Sequence, residues 1–253
     1  MKTSNLIKLT VVTGAMLALT STVRAGLVGS GNPHDFHSYS WANSSADPKT
    51  VCGVCHVPHN ADKNLGPLWG HSAISANSWT MYGVGRSPGA STRAGVNSVS
   101  APSASSLACL SCHDGSIAVD AYGNNPIDPL GTWKLTNNAA ISEGTKTLTH
   151  SHPISFDYQS LVGTGPTQDR WLFDSASPYL VPDAGFSQWN APNGSSIASL
   201  LLDSAGKVEC NSCHDVHGQD GTAYDPTLNP KLLKLSGTQN GAGSLLCRSC
   251  HNK

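Results

Sequence analysis

The sequence is poor in the residues that usually build a protein interior, and it has little charge of either sign. Of its 253 residues, 38% are hydrophobic and 6% are aromatic, whereas Gly and Pro are common. Lys and Arg (15) nearly balance Asp and Glu (16), so the composition predicts no basic surface for nucleic acid. Such a chain supplies little apolar material for a conventional core of this size. We therefore expect a bound group to complete the interior.

Long apolar runs are absent after the first 25 residues. Residues 1–25 have the pattern of a secretory signal peptide, with Lys2 and Lys8 at the positive start and a small-residue cleavage site at residues 23–25. Residues 26–253 are predicted to form one exported domain without membrane insertion. We expect this domain to be secreted to the extracellular space or the cell surface, with the periplasm as the alternative.

No cysteine stands alone, because all eight occur in Cys-x-x-Cys pairs that are followed directly by histidine. The four motifs are Cys52-Gly-Val-Cys55-His56, Cys109-Leu-Ser-Cys112-His113, Cys210-Asn-Ser-Cys213-His214 and Cys247-Arg-Ser-Cys250-His251. This is the attachment pattern of c-type haem. Two thiols at this spacing can each add to one vinyl group of the same porphyrin, and the adjacent imidazole is the proximal iron ligand. The sequence therefore predicts four covalently bound haem c groups.

Three other chemistries use paired cysteines. Four disulfides are the ordinary expectation for an exported chain, but disulfides require no histidine. A zinc cage built from two Cys-x-x-Cys pairs does not require the histidines either. A thioredoxin-like motif normally occurs once, in a context of alternating strands and helices that this chain does not show. The repeated histidine favours haem over all three.

Methionine is too scarce to supply the second axial ligands. Only Met1, Met16 and Met81 occur, and signal cleavage would remove the first two, so at most one haem can have a methionine ligand. Outside the motifs, seven histidines remain: His34, His37, His59, His71, His150, His152 and His217. We therefore expect four bis-histidine haems, which are six-coordinate, low-spin and low in potential.

Two of these histidines follow a motif histidine closely. His59 comes three residues after His56, and His217 comes three residues after His214. A step this short cannot pass round a porphyrin to its opposite face. Each is therefore predicted to ligate a different iron from its neighbour, which would bring haems close together.

The other candidates leave choices open. His34 and His37 lie close together in the sequence, as do His150 and His152, and the residues alone barely separate the members of each pair. His71 is a further candidate outside both pairs.

The motifs and their surroundings resemble multihaem c-type cytochromes, and are similar to the tetrahaem OmcE-like extracellular cytochrome nanowires. The resemblance is carried by Pro33-His34-Asp35-Phe36, Cys52-Gly-Val-Cys55-His56-Val-Pro58-His59-Asn60, Pro67-Leu68-Trp69, Cys109-Leu-Ser-Cys112-His113-Asp114-Gly115, His152-Pro153-Ile154-Ser155-Phe156 and Cys210-Asn-Ser-Cys213-His214-Asp215-Val216-His217. It spans most of residues 26–253. The resemblance implies that His34, His59, His152 and His217 are the distal ligands, and that copies of the chain form filaments.

Regular secondary structure is expected to be sparse. Short helices are predicted around residues 105–113, 195–202 and 243–251, and strands should be few and short. Residues 87–106 are predicted to be an exposed loop, and the aromatic-rich residues 164–196 either a lid over porphyrin edges or ordinary core. The predicted fold class is mostly irregular coil with few short helices and minimal β-structure around a haem core.

Fully ligated haems pass single electrons without binding a substrate at iron, so we expect an electron-transfer protein and not an enzyme. The leading hypothesis is a secreted subunit that associates head-to-tail with copies of itself, with His34 of one subunit ligating a haem of the next. Such a filament would deliver respiratory electrons to redox partner proteins or extracellular acceptors. The alternatives are a monomeric periplasmic shuttle and a multihaem reductase, which needs an iron with an open position.

Overall fold

The computed structural model describes residues 32–36, 39, 52–71, 78–82, 96, 99–122, 133–142, 144–165, 168–177, 195–217, 232–234 and 245–252. The predicted signal peptide and His37 lie outside these described residues. All eight cysteines and ten of the eleven histidines lie within them. The described residues therefore include nearly all of the candidate attachment and ligand residues.

Short elements separated by turns and coil make up the described chain. Its helices are α1 (Ala104–His113), α2 (Ile197–Leu201), α3 (Cys210–Cys213) and α4 (Leu245–Cys250), with 3-10 helices at Asn137–Ala139 and Gln159–Leu161. Strands β1 (Phe156–Asp157) and β2 (Lys207–Val208) pair antiparallel, with Phe156 opposite Val208. The prediction of mostly coil with few short helices and minimal β-structure is confirmed for these residues.

The ends of the helices follow from local chemistry. A capping box opens α2, where the Ser196 hydroxyl accepts from the Ser199 backbone N–H (3.2 Å) and the Ser199 hydroxyl accepts from the Ser196 N–H (2.9 Å). The loop predicted to extend to residue 106 is wrong over its last three residues, because α1 begins at Ala104. Burial of Ser106 and Leu107 within this first turn explains the difference. None of the described helices has the length and hydropathy needed to cross a bilayer.

Three small apolar clusters hold the described elements together. The first joins the sheet to α2 and consists of Val96, Phe156, Tyr158, Leu161, Ile197, Leu201 and Val208. The second cluster includes Leu110 of α1, and the third includes Leu107 and Ala108 of the same helix. Met81 is buried in the second cluster beside Trp79 and Leu148, so it is a packing residue with apolar neighbours.

The aromatic-rich segment is only partly described. Trp171 is 43% exposed, and the Arg170 guanidinium lies 5.0 Å from the centre of its ring. Phe173 instead packs against the first apolar cluster. Tyr179, Phe186 and Trp189 lie outside the described residues. The described aromatics thus divide between surface and core, and the choice between lid and core stays open for the rest.

Candidate haem sites

Each Cys-x-x-Cys-His motif forms a helical turn. In three motifs the histidine N–H donates to the carbonyl of the first cysteine, four residues back: His56 to Cys52 (2.8 Å), His214 to Cys210 (3.1 Å) and His251 to Cys247 (2.9 Å). The second motif forms the last turn of α1. Residues three and four apart share one face of a helix. Both thiols and the imidazole of a motif therefore lie on the same side of its turn, as attachment to a single porphyrin requires.

The thiols are not paired as disulfides, and burial raises the pKa of several of them. All eight cysteines are described, and none forms a disulfide bond. Burial raises the pKa of Cys55 to about 11, that of Cys112 to about 12 and that of Cys250 to about 11. The thiolate is the form that binds zinc and attacks disulfides, so these thiols are poorly suited to either chemistry near neutral pH. The described residues form no group of three or more Cys, His, Asp or Glu arranged for a bare metal ion.

Three motif imidazoles each lie against a predicted distal histidine from a distant part of the chain. The ring centres are 5.9 Å apart for His34 and His113, 6.2 Å for His56 and His217, and 6.4 Å for His152 and His251. A metal ion between two imidazoles, with metal–nitrogen bonds of about 2 Å, separates the ring centres by about 6 Å. Each pair therefore has the spacing that one iron between two imidazoles requires.

Hydrogen bonds set the tautomer of three of these histidines. Each places Nδ1 2.8 Å from a backbone carbonyl oxygen: His56 from Pro67, His113 from Ala139 and His152 from Pro153. A carbonyl can only accept, so Nδ1 carries the proton and the Nε2 lone pair is left to bind a metal. Metal-ligating histidines commonly have this outer hydrogen bond, which also orients the ring.

The surroundings of His34 favour the neutral form of its imidazole. Its backbone N–H donates to Asn32 Oδ1 (2.9 Å), which holds the turn that places the ring beside His113. Burial, and next the nearby His113 imidazole, lowers the pKa of His34 to about 4. The structure places His34 against a histidine of its own chain, which differs from the expectation that it reaches a neighbouring subunit.

The geometry also separates His150 from His152. His152 lies against His251, whereas His150 is exposed and has no ring contact among the described residues. The corresponding choice between His34 and His37 has only one described member, His34.

Two predicted iron ligands, His59 and His214, are not part of these three ring pairs. His59 is exposed, and within the described chain it makes no ring contact with a motif histidine. His214 forms an antiparallel bridge with Leu233. The structure thus brings together six of the eight predicted iron ligands and leaves His59 and His214 without a described contact to each other.

His71, a candidate ligand in the sequence, instead fastens the first motif to the second. It is 1% exposed, and its Nε2 lies 3.1 Å from the Val54 carbonyl oxygen and 3.6 Å from Cys112 Sγ. The adjacent Gly70 permits this approach, because a Cβ there would lie 3.1 Å from the Val57 side chain and 3.3 Å from the Cys55 carbonyl oxygen. In the sequence, the only indication of this packing role is the glycine that directly precedes His71.

The motifs themselves are close neighbours. The Cys109 and Cys210 thiols are close enough to interact, which raises the pKa of Cys109 and lowers that of Cys210, and α1 packs against α3. Cys213 interacts electrostatically with Cys247 and with Cys250. The third motif therefore adjoins both the second and the fourth.

No protein-family model matches the sequence, and comparison with curated proteins finds no match.

Substitution of His71 should reduce the acid sensitivity of the protein. Burial lowers the pKa of His71 to about 4, below the ordinary value of 6.5, so the unfolded chain binds the proton more readily. The stability that neutral His71 contributes is present above pH 6.5 and is lost as the pH falls towards 4, by about 3 kcal/mol over that range. Urea unfolding of the intact protein at pH 7 and pH 4.5 should show a smaller loss for His71→Gln than for wild type.

The exposed His150 provides the control for this measurement. His150→Gln should keep the wild-type pH dependence of the free energy of unfolding. Equal acid sensitivity in wild type and His71→Gln would contradict the assignment.

Proposed function

We propose that this chain is a tetrahaem c-type cytochrome that transfers electrons, and that it is exported and forms head-to-tail filaments. The proposal is carried by one observation. The ring centres of three motif histidines each lie 5.9 to 6.4 Å from the ring centre of a histidine that the sequence predicts as a distal ligand. These contacts join segments 79, 161 and 99 residues apart in the numbering. Local chain geometry does not explain such pairings, whereas shared iron ligation does.

Three haems are assigned directly from these contacts. The first-motif haem takes His56 and His217, the second-motif haem takes His113 and His34, and the fourth-motif haem takes His251 and His152. A bound haem supplies one-electron chemistry through its iron. With an imidazole on each side, these histidines would hold the iron and leave no open position for a substrate, which favours electron transfer over reduction of a substrate at iron.

The ligands of the remaining haem follow from the equal spacing of the histidines in the first and third motifs. His217 is three residues beyond His214, and its ring lies against His56 with an interplanar angle of 19°. His59 is in turn three residues beyond His56. The contact between the first and third motifs therefore places the neighbourhood of His59 next to that of His214, and we assign these two residues to the third-motif haem.

The same contacts suggest the path of electrons. The third motif adjoins the second through Cys109 and Cys210, and adjoins the fourth through the thiols that surround Cys213. It is also linked to the first motif by His217. We place the third-motif haem at the centre of the electron path, with the other three around it.

Exposed aromatic residues flank two of the imidazole pairs. Tyr39 is 42% exposed and contacts Phe36, which in turn contacts His34. Trp171 is 43% exposed, and its carbonyl accepts from the N–H of Asn252, next to His251. An exposed aromatic residue lies at the margin of each of these two haem sites, and we propose that copies associate there. A contact between unlike surfaces extends into a filament when it does not close.

The native secreted protein should carry four haems, all low-spin. Mass spectrometry should find the mass of four haem groups added to the polypeptide that begins after the signal peptide. Electron paramagnetic resonance of the oxidised protein should show low-spin ferric signals only. Fewer than four attached haems, or a substantial high-spin fraction, would overturn the proposal.

Loss of a distal histidine should open one iron. His152→Ala is expected to convert one of the four haems to a high-spin form that binds carbon monoxide, because the position facing His251 becomes vacant. His150→Ala, two residues away, is the matched control and should leave the spectrum and carbon monoxide binding unchanged. The reverse result would assign the ligand to His150.

Filament formation should depend on the exposed aromatic surface. Electron microscopy of the secreted fraction is expected to show filaments for wild type and fewer or shorter ones for Trp171→Ser. Trp133→Ser, which alters another exposed tryptophan (53%), is the control. Uniform single particles of the wild-type protein, with all four haems attached, would instead favour a periplasmic shuttle.

A further inference from the structure

Glu209 is a buried carboxylate without a cationic partner among the described residues. Its side chain is 1% exposed, and it directly precedes Cys210, the first residue of α3. Transfer of an unpaired charge into a protein interior costs several kcal/mol unless hydrogen bonds or an opposite charge compensate it. A charged carboxylate at this buried position therefore needs neighbouring groups that compensate its charge.

Three serine hydroxyls surround the carboxylate, and we call them the serine cage: Ser103, Ser106 and Ser155. The Ser103 hydroxyl donates to Oε1, and the hydroxyls of Ser106 and Ser155 donate to Oε2. Ser106 Oγ also accepts from the Cys210 N–H (3.1 Å), and Ser155 Oγ accepts from the Ser103 N–H (2.9 Å). These backbone donors direct the hydroxyl protons towards Glu209, so the cage is built to receive an ionised carboxylate.

One member of the serine cage, Ser155, has a strained backbone conformation. Ser155 has a φ of 64°, in the left-handed region that few residues other than glycine adopt. Its N–H is nevertheless held by the Val208 carbonyl oxygen at 2.6 Å. Strained residues of this kind persist where the surrounding structure holds them, and they cluster at functional sites.

The cage lies where two haem motifs meet. Ser103 directly precedes α1, which ends in the second motif, while Glu209 directly precedes the third motif. The elements packed there carry the titratable groups Cys109, Cys112 and His113 of α1, Cys210 and Cys213 of α3, and Asp157 and Lys207 of the sheet, and haem attachment would convert the thiols into uncharged thioethers. Lys207 is the cation nearest to Glu209 in the sequence, and within the described residues it forms no ion pair with the Glu209 carboxylate.

We propose that Glu209 is the internal counter-charge of the haems attached at the second and third motifs, and that it lowers their reduction potentials. This inference rests on the proposed function. A ferric bis-histidine haem core carries one more positive charge than its ferrous form, so a fixed negative charge in a poorly solvated interior favours the ferric state. The charge would make these two haems lower in potential than they would be in an otherwise identical neutral site.

The test is a redox titration of the intact tetrahaem protein, followed by absorption spectroscopy. Glu209→Gln removes the charge and keeps the shape and one acceptor oxygen. We expect four haems to remain attached and the midpoint potentials of one or two of them to rise, with the others unchanged. Asp157→Asn is the matched control, because it removes an exposed charge two residues from Ser155 and should leave all four potentials unchanged.

A second variant tests the opposite direction. Ser106→Ala keeps the charge but removes one donor, which leaves the carboxylate less neutralised, so the potentials of the same haems should fall. Should Glu209→Gln fail to retain its haems, Ser106→Ala decides alone. Wild-type potentials in every variant that retains four haems would overturn the inference while leaving the proposed function intact. A wild-type protein without haem would overturn the proposed function itself.

Discussion

An iron atom can be held by two histidines only where their ring centres come within about 6 Å of one another. We propose that this requirement organises the described chain, in which three pairs meet it: His34 with His113, His56 with His217, and His152 with His251. Long coil segments can satisfy such a requirement as well as helices or strands can, because each needs to deliver only one ring to one point. The sparse regular structure of the protein is consistent with an order set by these few contacts.

The candidate ligands also need orientation, which the chain supplies through backbone carbonyls outside its α-helices and strands. Pro67, Ala139 and Pro153 each offer an oxygen 2.8 Å from a histidine Nδ1. Loops usually carry unsatisfied carbonyls on the surface, and here several are used to fix a ring and its tautomer. Irregular segments therefore have a defined role, and their sequence is constrained at the residues that make these bonds.

Local features of the fold follow from the sequence more closely than its long-range contacts. The spacing within each motif predicts a helical turn, and α1 ends at the expected His113. The three-residue step from His214 to His217 excludes a shared iron but does not identify His56 as the partner, because that choice depends on tertiary packing. Burial of His71 against Val54 likewise depends on a close approach at Gly70 that no local pattern reveals.

Glu209 is a buried acidic residue in a chain that has few charged residues elsewhere. With 12% charged residues, the protein has few groups that could counter the positive charge that the proposed ferric haems would bring. A single carboxylate held by three hydroxyls acts strongly in such surroundings, because neither solvent nor an ion pair with a described cation screens it. Its position between the second and third motifs would distinguish these haems from the other two. Four haems with the same ligands would then differ in potential through the protein around them, and this difference would influence where an electron resides along the chain.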